Sequence, residues 1–102
     1  MLTSKQRAFL RSQARMMSPI FQIGKDGIGE NSAKAMSDAL DARELIKIHV
    51  LENSMLTARE AREELCEKLA CESVQVIGSK FVLFRQKKKD SKYDLKKLEL
   101  NY

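Results

Sequence analysis

Residues 20–29 read IFQIGKDGIG. Two glycines, Gly24 and Gly27, bracket Lys25 and Asp26 directly after a short apolar alternation. That combination suits the holding of an anion. Glycine admits backbone conformations with φ > 0 and lets a sugar-phosphate chain approach without a Cβ in the way. Backbone N–H groups near the start of a following helix donate to phosphate oxygens, and Lys25 adds a point charge that reaches out from the loop. Asp26 opposes a pure anion site; it either shapes the turn or accepts from a 2′-hydroxyl or a base. The same four residues also describe a plain strand-to-helix turn that needs glycine, so the loop takes its meaning from its surroundings.

Those surroundings are cationic at both ends of the chain. Arg7, Arg11 and Arg15 recur at i, i+4 and i+8 and so form one ridge of a helix. Arg85 closes the last apolar run, and Lys87, Lys88 and Lys89 follow it. Residues 1–27 carry a net charge of +4, residues 28–79 of −4 and residues 80–102 of +5. If the two ends meet in space around the glycine loop, they make one positive face suited to a polyanion such as nucleic acid. Taken singly, an arginine ridge is also what a solvated helix face looks like, and a lysine run is also a solubilising tail.

Catalysis is poorly supplied. His49 is the one histidine, on an alternating strand, and no nucleophile–base set, paired carboxylates, Walker loop, GxSxG or HExxH accompanies it. The glycines at 24, 27 and 29 do not fit the dinucleotide pattern GxGxxG. Cys66 and Cys71 are the two cysteines; five apart along a predicted helix, they fall on different faces, which is neither CxxC nor a zinc half-site. Both are expected to be reduced, with no metal and no cofactor. Most of the six aromatic residues fall in apolar patterns, and no base-stacking pair is seen, which favours contacts to a nucleic-acid backbone over detailed base readout.

The elements that must position these residues follow from capping and periodicity. Thr3 with Gln6 is a capping box that opens a first helix through about Met17, ended by Pro19. Residues 20–23 predict a short strand, and Gly24–Gly27 a tight loop. A second helix is expected over 30–43, capped by Asn31 or Ser32, with Ala35, Met36, Ala39 and Leu40 buried. Residues 44–51 alternate as a strand. Thr57 with Glu60 opens a third helix to about Ala70, with Ala58, Ala61, Leu65 and Leu69 inward and Glu60, Glu63, Glu64 and Glu67 outward. Strands over 73–77 and 81–85 flank a hairpin at Gly78. The order α-β-α-β-α-β-β favours an α/β fold with a partly parallel sheet.

With 102 residues, 43% hydrophobic and 32% charged, the chain fits one folded domain and not a disordered segment. No apolar run approaches the length of a membrane span, and the N-terminus lacks the apolar core of a secretory signal. A cytoplasmic monomer is expected.

The stretches LTSKQRAFLRSQA (2–14), IFQIGKDGIGEN (20–31), ALDARELIKIHVL (39–51) and VQVIGSKFVLFR (74–85) together resemble the YhbY family, the stand-alone bacterial form of the CRM RNA-binding domain. The resemblance implies a CRM-type domain over residues 1–86, followed by a basic tail over 87–102. It implies a fold similar to the C-terminal domain of translation initiation factor three with an added N-terminal helix, and a four-stranded mixed sheet whose last strand runs antiparallel to the others. It implies a non-enzymatic protein that binds ribosomal RNA during assembly of the large ribosomal subunit. The family's loop, likened to the GxxG loop of KH domains that clamps RNA backbone, falls on Gly24, Lys25, Asp26 and Gly27. A KH loop joins two helices, whereas this one joins a strand to a helix, so register and groove direction do not transfer.

The leading expectation is therefore an RNA-binding module using Gly24–Gly27 with Arg7, Arg11, Arg15, Arg85 and Lys87–Lys89. The alternative is a protein-interaction adaptor on ribosomal particles, docking through the acidic third helix or the polar face near Lys47 and His49, with RNA secondary.

Overall fold

The computed structural model describes residues 2–87; Met1 and residues 88–102, including the expected cations Lys88 and Lys89, lie outside the described residues. The element order is α1 (Ser4–Ala14), β1 (Phe21–Ile23), α2 (Glu30–Arg43), β2 (Leu45–Val50), α3 (Ala58–Leu69), β3 (Glu72–Ile77) and β4 (Lys80–Phe84). The strands form one sheet in the order β1-β2-β4-β3. β1 and β2 are parallel, and β4 runs antiparallel to both of its neighbours.

Strict alternation in β2 divides the molecule into layers. Ile46, Ile48 and Val50 face a core shared with Met36 and Leu40 of α2 and Ala61 and Leu65 of α3. Leu45 points the other way, into a second core with Leu10 and Ala14 of α1, Val74, Val82 and Phe84. The period of two along a strand sends alternate side chains to opposite faces, so the sheet is sandwiched between α1 on one face and α2 with α3 on the other. α1 covers only the part of its face near Leu45; Lys47 and His49 continue the same face beyond the helix.

Local signals explain the element ends. Thr3 and Thr57 each cap their helix through the reciprocal bonds of a capping box, with Gln6 and Glu60. α1 stops at Ala14 and not at Met17 because the Met17 amide turns back to the Ala14 carbonyl at 3.0 Å, just before the restriction that Pro19 places on Ser18. α2 is capped by Gly29 with no side-chain bond, not by Asn31 or Ser32. Its buried stripe is Ala33, Met36 and Leu40, and Ala35 is exposed. In α3 the buried set is Ala58, Ala61, Leu65 and Leu69, as the periodicity predicts. A bulge at Val74 inserts one extra residue between the Ser73–Leu83 and Gln75–Val82 pairs, which turns Val74 toward α1.

Two places depart from what spacing alone suggests. Glu44, 1% exposed, sits at φ 67° where α2 hands over to β2. Its carboxylate accepts the Lys87 amide at 3.0 Å and its carbonyl the Arg85 amide at 2.9 Å. Ala70 takes the left-handed conformation, φ 50° and ψ 53°, so the helix ends there and the chain doubles back. Cys71 consequently lies against Cys66 instead of on another helix face; its amide donates to the Cys66 carbonyl at 3.2 Å.

Candidate functional site

The glycine loop is a four-residue turn closed by the Gly27 amide donating to the Gly24 carbonyl at 3.1 Å. Lys25 and Asp26 are its two central residues, and both are exposed. Of the two glycines only Gly27 has positive φ, at 67°; a Cβ on Gly24 would meet Asn53 Oδ1 at 3.5 Å and Leu51 Cδ1 at 3.7 Å, ordinary contact distances. Conformation therefore requires glycine at 27 and not at 24. The turn leads through Ile28 to Gly29, and because Gly29 brings no side-chain cap, the first-turn N–H groups of α2 face outward without one.

The part of the sheet face that α1 leaves uncovered lies beside this turn. Register aligns Gln22, His49, Lys80 and Ile77 as one cross-strand row. One row further in, Lys47, Val82 and Gln75 are aligned. Directly opposed residues on one face are about 5 Å apart, so Lys80 and His49 are immediate neighbours. Arg11 and Arg15 reach over from α1. With Ala8, Ser12, Lys47, Gln75 and Ile77 they line an open groove of ≈ 500 Å³ without an acidic side chain. Lys47 Nζ donates to the Met17 carbonyl at 3.0 Å, tying the end of the helical segment to the sheet. Ile77, 58% exposed, gives the groove an apolar wall.

The expected site residues separate into groups. Arg11 and Arg15 belong to the groove, and Lys25 stands at the same end of the sheet, two residues beyond the Ile23–Val50 pair. Arg7 lies two helical turns before Arg15, and its Nε donates to the Ser73 carbonyl at 3.2 Å, so it borders the face and braces β3. Arg85 and Lys87 lie away from the loop. β4 is antiparallel to β2, so Phe84 pairs with Leu45, and Arg85 leaves the sheet at the end opposite the glycine turn. Its guanidinium bonds Leu69 O and Ser37 O, each at 2.8 Å, and Ser37 Oγ and Asp41 Oδ1, each at 2.9 Å. Lys87 lies beside Arg43 and Glu44 at that same far end.

Sequence reasoning missed Lys80 and Gln22 and set Lys47 and His49 on a separate protein-docking face. The structure merges that face with the arginine ridge. Alternation in residues 44–51 showed which side Lys47 and His49 take, but only the strand order shows that α1 lies across it. Among the described residues no three His, Cys, Asp or Glu side chains cluster to hold a metal ion, and no helix is long and apolar enough to cross a membrane.

The profile of the CRS1 / YhbY (CRM) domain matches residues 2–85. The chain is 42% identical over 95 residues to a Bacillus subtilis protein named "Probable RNA-binding protein YqeI", covering 93% of this chain and 99% of that one. It is 36% identical over 100 residues to "Probable RNA-binding protein MJ0652" of Methanocaldococcus jannaschii, covering 94% and 72%. It is similar to the solution structure of the Staphylococcus aureus protein SAV1595, with a TM-score of 0.70, 47% identity and coverage of 93% and 99%. With nearly all of its described residues inside one domain profile, the chain belongs to the CRS1 / YhbY (CRM) domain family.

Proposed function

We propose that this protein binds structured RNA without catalysing a reaction on it, and that the RNA is ribosomal, met during assembly of the large ribosomal subunit. The observation that carries the reading is the shared face of Arg11, Arg15 and Lys47, continued by His49 and Lys80 and standing next to the exposed Lys25 turn. Cations on a rigid sheet and helix neutralise phosphates in a fixed register. The turn and the uncapped α2 amides would take the sugar-phosphate backbone where it leaves the groove. The names of the relatives, RNA-binding proteins by designation, and the family resemblance to a ribosome-associated domain support the same assignment.

The test is binding of the full chain to a structured ribosomal RNA fragment across a salt series, followed by crosslinking and peptide mapping. Affinity is expected to fall linearly on a log–log plot, by about 0.7 to 0.9 per phosphate contact, with crosslinks on the 8–15, 22–29 and 75–80 segments. Binding indifferent to salt, or crosslinks confined to α3, sinks it.

A second reading is docking on a ribosomal protein through α3, whose outer side presents Glu60, Glu63, Glu64 and Glu67, all exposed. Co-sedimentation with ribosomal particles that survives nuclease digestion would favour it; loss of co-sedimentation favours RNA.

A further inference from the structure

The corner between α3 and β3 holds reactive groups that the RNA-facing surface does not use. Once Ala70 reverses the chain, the residue fourth from the helix end and the one after the reversal are brought side by side, the pair that usually makes an apolar contact in this motif. Here both are cysteines. The Cys71 amide bonds the Cys66 carbonyl at 3.2 Å, and the two thiols are free and half-buried. Cys71 Sγ lies 3.7 Å from the Leu65 carbonyl. The direct backbone bond between the two residues sets them side by side across the chain reversal.

The pair is asymmetric. The Cys71 S–H donates to the Leu65 carbonyl; the neighbouring Cys71 thiol lowers the Cys66 pKa, helped by the Arg62 charge and opposed by burial and the Glu72 charge. The interaction with Cys66, together with burial, pushes the Cys71 thiol far up. Arg62 is one turn before Cys66 on α3. Its Nη2 pairs with Glu63 Oε1 at 3.5 Å, and its buried Nε finds no hydrogen-bond partner among the described residues. A half-buried thiol with a lowered pKa, a cation one turn away and a second thiol beside it is the arrangement of a redox-reactive cysteine.

We propose that Cys66 and Cys71 form a peroxide-reactive dithiol, with Cys66 as the attacking sulfur and Cys71 as the resolving one. The Cys66 thiolate attacks one oxygen of a hydroperoxide. An S–O bond forms, the O–O bond breaks, and the departing oxygen leaves as hydroxide (for hydrogen peroxide), which takes up the proton Cys66 had released. The Cys71 sulfur then attacks the sulfenic sulfur; an S–S bond forms, the S–O bond breaks, and the hydroxyl leaves as water with the Cys71 proton. Two thiols are oxidised by two electrons and hydrogen peroxide is reduced to two waters. The disulfide staples the last turn of α3 to the entry of β3, next to the Leu69 carbonyl that Arg85 holds.

The inference is independent of RNA binding and is tested on the reduced full chain with hydrogen peroxide, followed by denaturing alkylation and intact mass. The expected product is a monomer about 2 Da lighter that takes up no alkyl group, the two hydrogens of a thiol pair having gone. C71S is expected to stop at a Cys66 sulfenic acid trapped by dimedone. C66S is expected to react roughly tenfold more slowly, and Arg62→Leu to slow Cys66 oxidation several-fold. Circular dichroism establishes that each variant is folded. The wild-type mass is decisive even if one variant is not. Two alkylatable thiols after treatment, disulfides only between chains, or equal rates for C66S and C71S each overturn the proposal.

Discussion

Arg85 Nη2 meets Asp41 Oδ1 at 2.9 Å, although the two residues stand 44 positions apart in the chain. The pair closes a junction at which the end of β4, the last turns of α2 and the end of α3 converge. Asp41 is 73% exposed, so the ion pair alone is worth little. The weight falls on the three uncharged acceptors on Ser37 and Leu69, which the same guanidinium satisfies.

Arg85→Ala is therefore expected to destabilise the fold by about 1–3 kcal/mol, because part-buried carbonyls lose their donor. Its RNA affinity, measured under conditions where the variant is still folded, is expected to match the parent. A normal melting temperature with a large loss of RNA binding would return Arg85 to the binding surface.

Lys25→Ala is expected to flatten the salt slope of RNA binding by about 0.7 to 0.9, and Arg11→Ala with Arg15→Ala by about twice that. Lys80→Ala, at a position the sequence did not single out, is expected to behave like Lys25→Ala. Fluorescence anisotropy at several salt concentrations measures all three. An unchanged slope in the arginine pair would remove the groove from the interface.

The two loop glycines separate folding from binding. Gly27→Ala forces a side chain to φ 67° and should cost about 1–2 kcal/mol. Gly24→Ala meets only ordinary contacts and should leave thermal stability near the parent's. A fall in RNA affinity in Gly24→Ala at unchanged stability is expected if the sugar-phosphate chain passes close to that Cα; unaltered affinity means it does not.

Ala70 holds φ 50° without being glycine. Ala70→Gly is expected to stabilise the protein by about 1 kcal/mol, an increase of roughly 4–8 °C in melting temperature for a domain of this size. No increase would show that the α3 terminus does not limit stability.

Glu60 supplies a pH-dependent contribution. Hydrogen bonds from the Thr57 backbone and side chain hold its carboxyl below the ordinary carboxylate range. A depressed folded-state pKa gives stability that is present above the unfolded value and lost as pH falls through the folded one. Glu60→Gln keeps an acceptor for the Thr57 amide but loses the charge. The variant is expected to be less stable than the parent at neutral pH and equal to it below the folded-state pKa of Glu60. Chemical denaturation at neutral pH and near pH 2 measures both arms.

The sequence disclosed much of what depended on local geometry, though not the cap of α2 at Gly29 or the end of α1 at Ala14. Both capping boxes, the α3 stripe of Ala58, Ala61, Leu65 and Leu69, the hairpin at Gly78 and the glycine turn follow from spacing and from the conformations those residues favour. Contacts that needed strand order stayed hidden. The antiparallel pairing of β4 with β2 sends Arg85 away from the glycine turn, and no run of residues near Arg85 records that. The placement of α1 on the face that carries Lys47 and His49 joins two surfaces that the sequence presents as alternatives. The meeting of Cys66 and Cys71 was concealed for a different reason. It depends on one alanine in a left-handed conformation, and alanine gives no signal of that kind.

The outer margins of the sheet have a consequence of their own. β1 offers only three residues, Phe21–Ile23. On the far side, β3 is bent at Val74, and its Ser73 carbonyl is already taken by Arg7. A straight run of unpaired amides is what a foreign strand needs in order to add on, and neither margin supplies one. Among the described residues the sheet thus offers a foreign strand little regular edge, while the flank that carries Ile77 and Lys80 stays exposed.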